Sequence, residues 1–167
     1  VVTPFRLTYF DLDIPPESES RFQSDCSMAT AFSSASGHEF DMQLYWVLPH
    51  MHGLGSYFEV SINGGPRDGE TLYEFEGFNA DSNGQAFDPP IDLTGAGGLS
   101  FTCGFTNPTS ERVGWGIGDQ EMCVMLGFAD MDVLLDSIVD EDSRVIDETD
   151  GMVLNTGPCQ IIALPKN

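Results

Sequence analysis

Tyr45-Trp46-Val47-Leu48-Pro49-His50-Met51-His52 and, a few residues on, Tyr57-Phe58-Glu59-Val60-Ser61-Ile62-Asn63-Gly64-Gly65 decide how this chain is read. The second run alternates along a strand period and stops at Asn63-Gly64-Gly65, a turn signal. The first belongs to a longer strand, Phe40 to His52, whose aromatic and β-branched residues suit a pleated, half-buried surface. Similar signals recur at Phe5 to Ile14, which ends at Pro15-Pro16, and at the Ser- and Ala-rich Phe22 to Phe32. They continue at Thr71 to Phe78, Leu99 to Thr106, Gly118 to Phe128 and Cys159 to Leu164. Turn clusters such as Asp81-Ser82-Asn83-Gly84 and Gly95-Ala96-Gly97-Gly98 lie between them. Many short strands with no βαβ alternation predict an all-β fold, an antiparallel β-sandwich or jelly roll. Residues 1–167 show no internal repeat and no linker, so a single domain is expected.

The one candidate helix is Val133 to Asp140, inside the acidic segment Asp130 to Asp150. That segment lacks the spaced ligands and the glycine of an EF-hand loop, and reads as an ordinary solvated loop.

Four cysteines, Cys26, Cys103, Cys123 and Cys159, form an even set with no CxxC pair. Two structural disulfides fit this better than zinc or a redox dithiol, and they imply an oxidising compartment. Of three connectivities, Cys103–Cys123 with Cys26–Cys159 is favoured. The first would link neighbouring strands, and the second would tie the early and late parts of the chain.

The net charge is −21, from 27 acids against 6 bases. Such a surface repels phosphate backbones and anionic membranes, so nucleic acid is excluded as a partner. Excess acid of this kind keeps an extracellular protein soluble. No run approaches the ~20 apolar residues of a membrane span. Without an initiator Met or a signal segment, the chain reads as a mature product or an excised domain. A secreted, periplasmic or cell-surface location is expected.

Successive strand side chains point to opposite faces, so His50 and His52 project from the same one. That is the simplest way for a strand to offer two imidazoles to one metal. Gly118-Asp119-Gln120-Glu121-Met122-Cys123 adds a thioether from Met122, and a cystine at Cys123 would hold it rigidly. Two imidazoles and a thioether suit copper, above all Cu(I), at one copper per chain. His38 reads as a surface residue first and a spare ligand second. Trp46 and Trp115 are assigned to the core.

These motifs resemble those of the copper type II, ascorbate-dependent monooxygenases, the peptidylglycine α-hydroxylating and dopamine β-monooxygenase group. The similarity is to their carboxy-terminal, oxygen-activating copper domain. In that family the copper is held by an HxH strand and, much later, by the Met of an E-M-C segment. Here His50, His52, Glu121, Met122 and Cys123 stand at those positions, at the family's separation. Cys103-Gly104-Phe105-Thr106-Asn107 resembles the family's C-x-Y/F-x-N strand end, whose Cys pairs with the one after the Met. The resemblance covers Phe40 to Phe128, and more loosely Cys26 to Cys159. It departs where peptide-hydroxylating members carry a substrate-gripping Arg and Tyr, since Leu48 and Leu126 occupy those positions. The family's second, three-histidine copper cannot be built from His38 alone.

The resemblance implies C–H hydroxylation with O2 and an external reductant, on a small-molecule or peptide substrate. Electrons would come from an upstream domain or a separate donor. Leu48, Leu54, Leu126 and Phe128 are candidates to line an apolar substrate site, against a plainer reading as core. The alternative function is a non-catalytic copper-binding, storage, structural or adhesive module.

Overall fold

The computed structural model of the chain describes residues 2–77 and 84–167. Its elements begin with β1 (Val2–Tyr9), β2 (Asp13–Ile14), β3 (Ser18–Ser27) and the helix α1 (Ala29–Ser36). Then come β4 (Gln43–His50), β5 (Gly55–Asn63), β6 (Thr71–Glu76), β7 (Gln85–Asp92) and β8 (Gly98–Asn107). The last third holds β9 (Val113–Gly114), β10 (Val124–Asp130) and β11 (Val133–Val139). It closes with β12 (Arg144–Thr149), β13 (Met152–Thr156) and β14 (Gln160–Pro165).

Two six-stranded sheets face each other across the core, ordered β14-β11-β1-β10-β4-β7 and β12-β13-β3-β8-β5-β6. A ribbon of β2 and β9 stands apart. Pairing is mostly antiparallel, but β11 joins β1 and β13 joins β3 in parallel. The chain is thus the expected β-sandwich. Alternation sorts each strand between core and solvent: β10 buries Met125, Gly127 and Ala129 and turns Leu126, Phe128 and Asp130 outward. Leu7, Phe22, Phe58, Phe101 and Phe105 fill the space between the sheets. Phe22 meets the Tyr9 and Phe105 rings edge-on at centroid distances of 5.4 and 5.9 Å. Each such side chain contributes about 1.5–3 kcal/mol by leaving water.

Both disulfides pair as favoured, Cys26 with Cys159 and Cys103 with Cys123. Each ties one sheet to the other. Cys103–Cys123 therefore spans the sandwich, from β8 to the entry of β10, rather than joining neighbours within a sheet.

Several expectations need correction. Val133 to Asp140 is not helical. Its residues form β11, burying Val133, Leu135, Ser137 and Val139 in strict alternation. The rest of the acidic segment is not a loop either, because it supplies β12 and the start of the β12–β13 hairpin. Phe22 to Phe32 divides into the end of β3 and α1. That helix ends at Gly37, whose left-handed backbone (φ 83°) lets its N–H reach the Ser33 carbonyl. Phe5 to Ile14 breaks after Tyr9, and Gly118 to Cys123 precedes the strand it was assigned to. Trp46 and Trp115 are only half-buried, packed on Phe128 and Phe10 at the margin of the core. Phe78, the expected end of β6, and Asp81-Ser82-Asn83 of one expected turn lie outside the described residues.

Candidate metal centre

β4 reaches solvent at His50, and the alternation persists past its last residue. His50 and His52 turn outward on either side of Met51, which is 1% exposed. The two rings stand 5.4 Å apart, centroid to centroid, at 83°. β10 pairs with β4 so that Val124 lies opposite His50 and Leu126 opposite Leu48. Met122 precedes that pairing by two residues, in the segment whose Gln120 and Glu121 bond to His52. Cys123 and Met125 point inward, so half-buried Met122 shares the outward side with Val124. His50, His52 and the segment that carries Met122 thus lie at one end of the sheet, beside the Cys103–Cys123 bridge.

Glu121 organises this end, and sequence reasoning treated it only as a flank of Met122. Its carboxylate is 1% exposed. It accepts hydrogen bonds from the N–H groups of His52 (2.6 Å), Leu54 (2.7 Å) and Met122 (3.2 Å). Its own backbone is held by Gly114 and Gly116. One buried carboxylate therefore fastens the histidine turn to the methionine segment, through charge-assisted bonds that are stronger than neutral ones. An acid set between Gln120 and the Met122-Cys123 pair, next to a cystine that anchors it to the core, is the signal that could have singled it out: such a group must find donors or stay out of the core.

The His52 ring is also oriented. Its Nδ1 lies 2.7 Å from the Gln120 carbonyl oxygen, which fixes the proton on Nδ1 and leaves the Nε2 lone pair to donate. An imidazole held this way by a backbone carbonyl is the usual support of a metal-bound histidine. The His50 pKa is held below the ordinary imidazole value, first by partial burial and then by the adjacent His52, with Glu121 opposing. The neutral imidazole, the form a metal binds, is favoured.

Among the described residues, no three or more His, Cys, Asp and Glu side chains are grouped to hold a metal ion. The donor set expected from the sequence is two imidazoles and the Met122 thioether. That donor set fits a soft or borderline ion and is a poor match for calcium or magnesium.

A cleft of about 450 Å³ opens beside His52, lined also by Leu54, Thr109, Glu111, Val113 and Asp119. Leu48, Leu126 and Phe128 do not enter it. They lie on the open outer face of the sheet, with Leu126 and Phe128 41% and 39% exposed, and so are not core either. His38 belongs elsewhere, paired with Asp132 in the turn between β10 and β11. In comparison with known proteins, no family model and no curated protein sequence matches this chain.

Proposed function

We propose that this chain is an extracytoplasmic, mononuclear copper-binding domain with His50, His52 and Met122 as ligands. The observation that carries the reading is the outward pair of imidazoles, 5.4 Å apart, on a turn tied by Glu121 to the segment bearing Met122. The set favours Cu(I), the form that reacts with O2. Within the resemblance to the copper monooxygenases, the domain is the oxygen-activating half of a C–H hydroxylase. Bound copper would supply the oxygen chemistry. The chain's own residues hold the ion, orient His52 and offer the adjoining cleft to a substrate. Hydroxylation takes two electrons per turnover and one copper supplies one, so an external donor, on another domain or polypeptide, is part of this proposal. Two disulfides support a location outside the reducing cytosol. No helix among the described residues is long and apolar enough to cross a membrane.

A second reading, a copper-binding module without catalysis, is favoured by Leu48 and Leu126. These cross-strand partners stand side by side where a peptide-gripping Arg and Tyr would be needed. Metal analysis tests the site, with about one copper per chain expected. Ascorbate-dependent O2 uptake coupled to product from a candidate substrate then separates the two readings. Copper bound at full stoichiometry without turnover selects the second, and no copper rejects both.

A further inference from the structure

The outer face of the β14-β11-β1-β10-β4-β7 sheet is apolar where a chain of this charge leads one to expect acids. The registers place its outward residues in rows across five strands. One row runs Ile162, Asp136, Arg6, Leu126, Leu48, and the next Leu164, Leu134, Pro4, Phe128, Trp46. Eight of these ten are apolar. Ile162, Leu164, Leu134, Leu126 and Phe128 are 39–56% exposed. The only charges in the two rows are Arg6 and Asp136, which neutralise each other through three hydrogen bonds of 2.9–3.1 Å. A shallow groove runs along this pair, walled by Pro4 and Leu126. A contiguous apolar surface of this kind marks an interaction site.

We infer that this face is the contact between two copies of the chain, related by a two-fold axis. Three features select a second copy as occupant. The middle of the face is neutral, with Asp130 of β10 and Asp92 of β7 at one rim, in a molecule of net charge −21, so it is the side on which two copies meet with least repulsion. A partner recruited by its own positive charge would be drawn to the acidic remainder instead. An isologous contact must be self-complementary, and the middle of this face carries one cation beside one anion, so Arg6 of each copy can reach Asp136 of the other. The size is also adequate. Six strands ~4.8 Å apart and about seven residues long offer roughly 700 Å² of flat area, near the ~800 Å² per partner of a standard interface. Edge-to-edge pairing is discouraged, because Pro89 and Pro90 sit in edge strand β7 and Pro165 closes the opposite edge. The inference does not depend on copper.

Sedimentation velocity over a concentration series tests it on the whole chain. The mass should rise from 18.2 kDa toward twice that value, and added salt should strengthen association by screening the like charges. Leu126→Asp and Phe128→Asp, at exposed positions that leave the core intact, should each weaken the dimer by more than about tenfold. The decisive arm uses charge reversal. Arg6→Glu and Asp136→Arg should each weaken self-association, and an equimolar mixture of the two variants should restore it as heterodimer. A monomer at every concentration and salt, a dimer indifferent to these substitutions, or a monomer that instead binds neutral phosphatidylcholine vesicles would overturn the inference.

Discussion

His50 lies opposite Val124 at one end of β10 and His38 pairs with Asp132 just past the other, and the protein treats them in opposite ways. His38 has both ring nitrogens engaged, Nδ1 with the Glu39 carbonyl at 2.9 Å and Nε2 with the Asp132 carboxylate at 3.0 Å. Its pKa is raised, first by the Glu39 carbonyl and then by Asp132, so it tends to the charged form. At the other end, His52 meets a carbonyl with Nδ1 and keeps Nε2 available, while His50 is pushed toward neutrality by burial and by its neighbour. The backbone carbonyl is common to both ends. What separates the ion-pair histidine from the proposed ligand is the second nitrogen, met by a carboxylate in His38 and by no partner among the described residues in His52.

The largest effect should come from emptying the open end. His50→Ala with His52→Ala should abolish stoichiometric copper binding, measured by metal analysis after dialysis, whereas His38→Ala should retain about one copper per chain. If the His38 variant lost copper equally, the contrast between the two ends would fail.

The disulfides sharpen the comparison. They close loops of very different length, with sequence separations of 133 for Cys26–Cys159 and 20 for Cys103–Cys123. Loop-closure entropy gives about 5 and about 3 kcal/mol respectively, read as shifts in denaturant midpoint. Copper affinity should follow the reverse order. Loss of Cys103–Cys123 should weaken binding because it frees the segment carrying Met122, and loss of the more stabilising bridge should leave the ligands in place.

Glu121→Gln should act more locally. It keeps the shape but turns one acceptor oxygen into an NH2 that cannot accept, so at least one of the three hydrogen bonds is lost and the rest lose their charge assistance, costing about 2 kcal/mol in stability. Copper affinity should fall by about 10–100-fold, as for other groups that orient ligands. An unchanged affinity would mean that the histidine turn holds itself.

The smallest effect is a titration. In the metal-free protein, NMR should place the His38 pKa above 6.5 and that of His50 below it. Because folding raises the His38 pKa, the stability from its pair with Asp132 is complete below about pH 6.5 and fades as pH climbs through the raised value. His38→Gln should remove that slope.

Much of this was legible in the sequence where side chains alternate without interruption. Tyr57 to Ile62 announced β5, and Leu99 to Thr106 announced β8. The outward His-x-His was legible for the same reason, since strand period fixes which side a residue faces. The cysteine pairing came instead from tying early to late chain and from the resemblance, and its Cys103–Cys123 bridge crosses the sandwich rather than joining neighbours. Other elements were hidden by local signals that tertiary context overrode. No strand was expected over Gln85 to Asp92, which carries Pro89 and Pro90, yet β7 forms there because an edge strand can spare the N–H groups that proline lacks. In Val133 to Val139 the adjacent Leu134 and Leu135 blurred the alternation, because Leu134 faces the apolar outer surface rather than a polar one. Ala29 to Ser36 holds too few large apolar residues for a helical stripe, and only Phe32 is buried. The role of Glu121 required the turn at residues 52–55 and the methionine segment to be seen together.

The most direct test is X-ray absorption of the Cu(I)-loaded chain, recorded beside its Met122→Ile variant. Two imidazole ligands and one sulfur are predicted in the native protein. The sulfur should vanish in the variant, with Cu(I) affinity falling more than Cu(II) affinity. A spectrum without sulfur, or one that Met122→Ile leaves unchanged, would show that these residues do not converge on one ion.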